Sequence, residues 1–168
     1  LIRAIMGEID YEGTVKWGVT TSRSYLPKDN SADFAGSESI LDWLRQFASK
    51  EEDDNTFLRG FLGRMLFSGD EVNKPVNVLS GGEKVRVMLS KLMLLKSNVL
   101  VLDDPTNHLD LESISSLNDG LKNFKESIIF ASHDHEFIQT LANHIIVLSK
   151  NGVIDRIDET YEDRKSVV

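Results

Sequence analysis

The run NVLVLDDPTNHLD at 98–110 constrains this chain more than any other stretch. Val99, Leu100, Val101 and Leu102 follow one another with no polar alternate, then lead into two carboxylates, Asp103 and Asp104. Alternation would mark a strand with one wet face. An unbroken apolar run of this length suits a strand buried on both faces, as in a parallel sheet covered by helices. Ligands of such sheets bind beyond the carboxyl ends of the strands, which is where this one releases its acids. Paired carboxylates there suit a Mg²⁺ ion held through oxygen and an oriented water. Pro105 cannot donate to a ladder and stops the strand, while Thr106, Asn107 and Asp110 supply turn and capping groups.

An apolar run ending in two acids is common, and its specificity comes from LSGGEK at 79–84. Ser80 with Glu83 three residues on fits a capping box, and Val85, Met88, Leu89, Leu92 and Met93 give the following helix an apolar face. The same residues support a second role. Gly81 and Gly82 leave backbone N–H groups bare at the positive end of a helix, and Ser80 adds a hydroxyl donor, which together make an anion site.

Taken in this order, the two motifs resemble those of ATP-binding-cassette (ABC) ATPases. LSGGEK resembles their signature, and LVLDDPTNHLD resembles their Walker B strand and D-loop. The TNHLD wording is similar to the ABC-F class, which has no transmembrane domain. The resemblance runs from Leu1 to about Tyr161 and implies an α/β fold of the P-loop NTPase (ABC ATPase) type, in part. That means a mainly parallel sheet with flanking helices plus a helical subdomain. It implies ATP and Mg²⁺ as ligands. Ser80, Gly81, Gly82 and Glu83 would form the signature that meets a γ-phosphate held by a second cassette, with Asp110 beside it in the D-loop. Asp103 would serve the Mg²⁺ shell. Asp104 stands where the family has a catalytic Glu that polarises the attacking water, and His133, after the strand SIIFAS at 127–132, would be the switch residue that reads the γ-phosphate. YLPKDN at 25–30 falls at the family's Q-loop, but Lys28 replaces its Gln. An ammonium cannot ligate a cation, though it can offset phosphate charge. An exposed Lys in a Pro-Asp-Asn turn explains it equally well.

The family's phosphate loop, GxxxxGK[ST], precedes a helix like LIRAIMG at 1–7, where Gly7 fits a C-cap. No GxxxxGK[ST] occurs in the 168 residues, and Leu1 falls in mid-pattern with no initiator Met. The chain is therefore expected to be part of a longer protein. Elsewhere, GTVKWGVT at 13–20 reads as a strand with Gly at its boundaries. ESILDWLRQFAS places Ile40, Leu41, Leu44, Phe47 and Ala48 on one helical face, and KEEDDN at 50–55 reads as a solvated acidic link. NTFLRGFLGRMLF repeats the helical spacing with Phe57, Leu58, Phe61, Leu62, Met65 and Leu66, and Gly60 and Gly63 within it suggest close packing. Residues 68–78 form a loop that delivers the signature. After Asp110, a helix turns Ile114, Leu117, Leu121 and Phe124 inward. DHEFIQTLAN is a short helix, HIIVLS at 144–149 a third apolar strand, and Asn151-Gly152 a hairpin signal. The strand–helix–strand order from 98 to 149 argues for parallel crossovers. His135 and His144 are read as structural, and His108 as an interface residue. The charged tail from Glu162 is read as disordered or vector-derived.

A formal net charge of −8, from 19 Lys and Arg against 27 Asp and Glu, argues against general nucleic-acid binding by this chain. With no Cys there is no disulfide framework, thiolate metal site or cysteine nucleophile. No apolar stretch approaches the roughly 20 residues that cross a bilayer, and no signal peptide is present, so a cytoplasmic setting is expected. The expected organisation is an ATPase core over 1–30 and 96–160, a helical subdomain with the signature over 31–95, and a tail over 161–168. The expected function is one cassette of a tandem ABC-F-like ATPase, the second of two, with another cassette and, by resemblance alone, a ribosome as partners. Two rivals stay open: the ATP-binding subunit of a membrane transporter, and an ATP-dependent clamp with little turnover.

Overall fold

The computed structural model of the protein describes residues 1–107, 109–149 and 152–157, the last three of these by backbone alone. They fall into two units that divide after Ala131. The first is built on a parallel sheet in the order β1-β2-β3, with β1 at Arg23–Leu26, β2 at Val99–Asp103 and β3 at Ser127–Ala131. The central strand β2 is the apolar run of 99–102, and Leu100, Val101 and Leu102 have no solvent exposure. Each such side chain contributes roughly 1.5–3 kcal/mol by leaving water. Helix α1 (Ile2–Ile5) packs on β2, and Gly7 at φ +78° follows it in the left-handed conformation expected of a C-cap. Behind β1 lies α4 (Gly81–Leu94), and α5 (Leu111–Lys122) packs on α4.

Two shorter helices, α2 (Ile40–Arg45) and α3 (Asn55–Arg64), pack on each other and on α4. Ile40 and Leu44 of α2 and Leu58 and Leu62 of α3 are fully buried. Trp43, not among the apolar positions read from spacing, is also core and donates its Nε1–H to the Asp33 carbonyl at 2.9 Å. It stacks on Phe34 and meets Phe47 edge-on, and the ammonium of Lys91 lies 4.3 Å from the Phe47 ring centre. With its 5.4 Å approach to the Trp43 ring centre, this cation–aromatic contact fastens α4 to α2 and the turn after it. Ser39 and Asp54 cap the two helices by accepting from Asp42 N–H and Phe57 N–H. The acidic link at 50–55 is a largely exposed loop, as its charge implies.

Several sequence expectations are corrected. Residues 13–20 form no strand. Val19 is fully exposed, and no neighbouring strand among the described residues offers the segment a ladder, without which β propensity has nothing to act on. The strand lies later, at Arg23–Leu26, where Pro27 ends it, so Tyr25 and Leu26 belong to β1 and the loop opens at Pro27. Gly60 and Gly63 are exposed and face open space rather than a close neighbour. A close approach between elements lies instead at Gly120, where a Cβ would come within 3.0 Å of Met65 Cε. Helix α2 stops at Arg45, before Phe47 and Ala48.

The second unit holds α6 (His135–Leu141), with Phe137 buried, and an antiparallel hairpin of β4 (His144–Ser149) and β5 (Gly152–Ile157). The parallel crossover β2–α5–β3 forms as expected, but β4 pairs with β5 and not with β3. The hairpin places Gly152 at φ +126°, a conformation open to glycine. Asn151, His108 and the tail from 158 lie outside the described residues. Since Leu100 is fully buried in the central strand, Leu100→Ala should lower stability by about 2–5 kcal/mol, read as a drop in the urea midpoint at unchanged slope.

Candidate functional site

The site begins where β2 ends. Asp103 is the last residue of the strand, and the Asp104 N–H extends the ladder by donating to the Ala131 carbonyl at 2.9 Å. The chain then turns at once: Asp104 has φ +57°, in the left-handed region that Asp tolerates better than most residues. Its carbonyl accepts from Asn107 N–H at 3.1 Å, closing a turn through Pro105 and Thr106. Asp110 then caps α5 by accepting from Ser113 N–H at 2.7 Å, and that bond holds its carboxyl below the usual range. The D-loop wording is thus a turn followed by a helix cap.

The signature is built by the predicted capping box. Ser80 Oγ accepts from Glu83 N–H at 3.3 Å, and Glu83 Oε2 accepts from Ser80 N–H at 2.7 Å. Lys74 closes the arrangement by donating to Glu83 Oε1 at 2.7 Å, tying the preceding loop to the helix start. Burial is the largest influence on the Glu83 carboxyl and raises its pKa. The bonds from Lys74 and Ser80, with the Lys74 charge, together outweigh it and hold the group below the ordinary 4.5.

A cavity of about 300 Å³ joins these pieces within the first unit. Lys28, Asp29, Gly81, Lys84, Asp103 and Asp104 carry its charge and its helix N-terminus. Of the residues predicted from sequence, Lys28, Gly81, Asp103 and Asp104 line it, whereas Ser80, Gly82, Glu83 and Asp110 do not. His133 lies in the second unit and is exposed. Lys84 was not singled out from the sequence, although a Lys three residues into a helix whose first turn is Gly-Gly is a readable signal for an anion.

Within the cavity, Lys28 Nζ donates to Asp104 Oδ2 at 3.1 Å. The pair joins the start of the loop after β1 to the turn after β2, which parallel pairing brings side by side through Leu26 and Leu102. Among the described residues no hydrogen bond or ion pair engages the Asp103 carboxylate. Its charge adds to the effects that push the Tyr25 hydroxyl up to about 12, behind burial and the Glu8 carboxylate that accepts its proton at 3.2 Å. No group of three or more His, Cys, Asp or Glu among the described residues could cage a metal. The donor set instead suits Mg²⁺, which commonly takes one or two carboxylates and fills its shell with phosphate and water.

A family model described as ABC transporter matches residues 1–107. The chain belongs to the ABC ATPase family. It is 60% identical over 158 residues to the ABC transporter ATP-binding protein YkpA of Bacillus subtilis (strain 168), covering 93% of this chain and 29% of that protein. It is 40% identical over 98 residues to ABC transporter F family member 2 of Arabidopsis thaliana, covering 58% of this chain and 14% of the relative. The chain therefore spans less than a third of these curated relatives. Among solved structures, RNase-L Inhibitor superposes with a TM-score of 0.71 at 20% identity, over 96% of this chain and 32% of that one, a likeness of fold. The ABC nucleotide-binding domain accounts for the parallel sheet with its flanking helices. No described helix is long and apolar enough to cross a membrane.

The capping box gives a test in pH. A carboxyl held low in the folded state contributes stability above its unfolded pKa and loses it as pH falls through the folded value. Glu83→Gln should thus cost about 1 kcal/mol near neutral pH, the scale of a helix cap. The difference from wild type should close well below pH 4.5, as urea midpoints measured across that range would show.

Proposed function

We propose that this chain is the greater part of one nucleotide-binding cassette of a tandem, ABC-F-like protein, which binds Mg-ATP against a second cassette and hydrolyses it. Residues 31–95 act as the helical subdomain, and 1–30 with the segment from 96 act as the ATPase core. The observation that carries the reading is the meeting of the signature helix start, Lys28 and the Asp103–Asp104 pair on one cavity. Identity to an F family member over 98 residues supports the class. In this reading Ser80, Gly81 and Gly82 offer donors to a γ-phosphate presented by the partner cassette. Asp103 holds the Mg²⁺ that neutralises charge on the phosphates and Asp104 polarises the attacking water; for His133, in the second unit, family resemblance implies the role of the switch residue. A ribosome is the partner that family resemblance implies. The name of the Bacillus relative favours a second reading, the ATP-binding subunit of a transporter, and co-purification with a membrane-spanning partner would select it.

Two tests follow from the division of labour between cassettes. The 168-residue chain alone should show no saturable heat with Mg-ATP in the micromolar range, because no GxxxxGK[ST] is present to grip the β- and γ-phosphates. A clear micromolar site would overturn this. In a protein carrying this cassette beside one with a phosphate loop, Gly82→Asp should abolish ATP-driven closure, by placing a carboxylate where a γ-phosphate approaches. Binding of a fluorescent ATP analogue should change much less. A distance probe across the interface reads closure, and unchanged closure would reduce LSGGEK to a helix cap.

A further inference from the structure

The cavity holds two ammonium groups, and they serve different acids. The Lys84 charge helps hold the Asp29 carboxyl low, behind the dominant bond from Ser31 N–H at 3.0 Å. Lys28 is the one that reaches the end of β2, on Asp104 Oδ2 at 3.1 Å. The Lys28 side chain is 60% exposed and that of Asp104 is 17% exposed. The lysine thus enters from solvent and the acid is fixed, by the ladder bond of its N–H to Ala131 and by the turn to Asn107. A partly exposed ion pair of this kind contributes little to stability, so its consequence lies in what it does to the site. An ammonium has three donors and no lone pair, so it blocks one carboxylate oxygen to a cation and opposes any second positive charge nearby.

We propose that Lys28 is a built-in counter-cation of the metal site: it occupies Asp104 and keeps a divalent ion off the Asp103–Asp104 pair until phosphate groups draw the ammonium away. The inference rests on the reading of Asp103 as the metal-facing carboxylate. The ammonium is a flexible point charge on a four-carbon stem and can move to an incoming polyphosphate. Metal and nucleotide would then arrive together, and an ion alone would find the site closed. Lys28 is a positioning residue here, acting through Asp104.

The test uses the whole chain and Mn²⁺ alone as probe, with water-proton relaxation as the readout. Wild type should bind Mn²⁺ weakly. Lys28→Met, which removes the charge and adds no oxygen ligand, should tighten binding by about tenfold or more, the scale of the repulsion between a single and a double charge about 5 Å apart in a water-like dielectric. Lys28→Arg, which keeps the charge, should stay close to wild type, and Asp103→Asn added to Lys28→Met should remove the gain. Because Lys28 is exposed, none of its substitutions threatens folding. If Lys28→Met leaves Mn²⁺ affinity unchanged while Asp103→Asn alone weakens it, the counter-cation is overturned and the metal-facing carboxylate stands. If neither substitution alters Mn²⁺ binding, both fall together.

Discussion

The structure of the first unit depends on β2 having a parallel neighbour on each side and a helical layer against it. A strand so enclosed cannot carry charge along its length, because an unpaired buried carboxylate is far costlier than the strand is stable. Charge can leave only at the ends. In this chain it leaves at the carboxyl end, as Asp103 and Asp104. The left-handed turn at Asp104 then follows from the need to stop the ladder one residue after Leu102 has been buried. Asp is among the few residues that accept such a φ, which gives a physical reason for its presence at this turn.

Helix α4 is the second organising element, and its fixity reaches the site through its first turn. Lys91 lies over Phe47 and Trp43, while Arg86 donates to the Met65 carbonyl at 3.0 Å and covers Phe67. These contacts fasten α4 to α2 and to the end of α3. The Lys74–Glu83–Ser80 chain of bonds then fixes the loop before it. The capping box thereby fixes the first turn of α4, whose Gly81 lines the cavity. Glu83 and Lys74 together hold that helix start.

A chain of net charge −8 is a poor general partner for polyanions, yet the cavity is close to neutral. Lys28 and Lys84 stand against Asp29, Asp103 and Asp104. Within a Debye length the local balance outweighs the total. A divalent ion bound by Asp103 would turn the balance positive, which suits a nucleotide that carries its metal with it.

The sequence alone determined the central strand, the helix starts and the chemistry at their ends, because these rest on local rules. An unbroken apolar run has one comfortable environment, and Ser-Gly-Gly-Glu and Asp-Leu-Glu-Ser close their caps within four residues. Family motifs carried the same stretches to the ABC ATPase fold. Tertiary structure decided what pairing decides. Residues 13–20 have strand character and no partner to express it, while Arg23–Leu26, with its Arg and Ser, becomes a strand because β2 lies beside it. The close approach at Gly120 was likewise set by neighbours distant in sequence, Met65 and Met93, whereas the β4–β5 hairpin was legible in the sequence signal Asn151-Gly152. Lys28 and Asp104 are 76 residues apart, and nothing in the spacing of either announces the other. The parallel register of Leu26 with Leu102 brings their loops side by side, and a contact between loops exists only once the strands have paired.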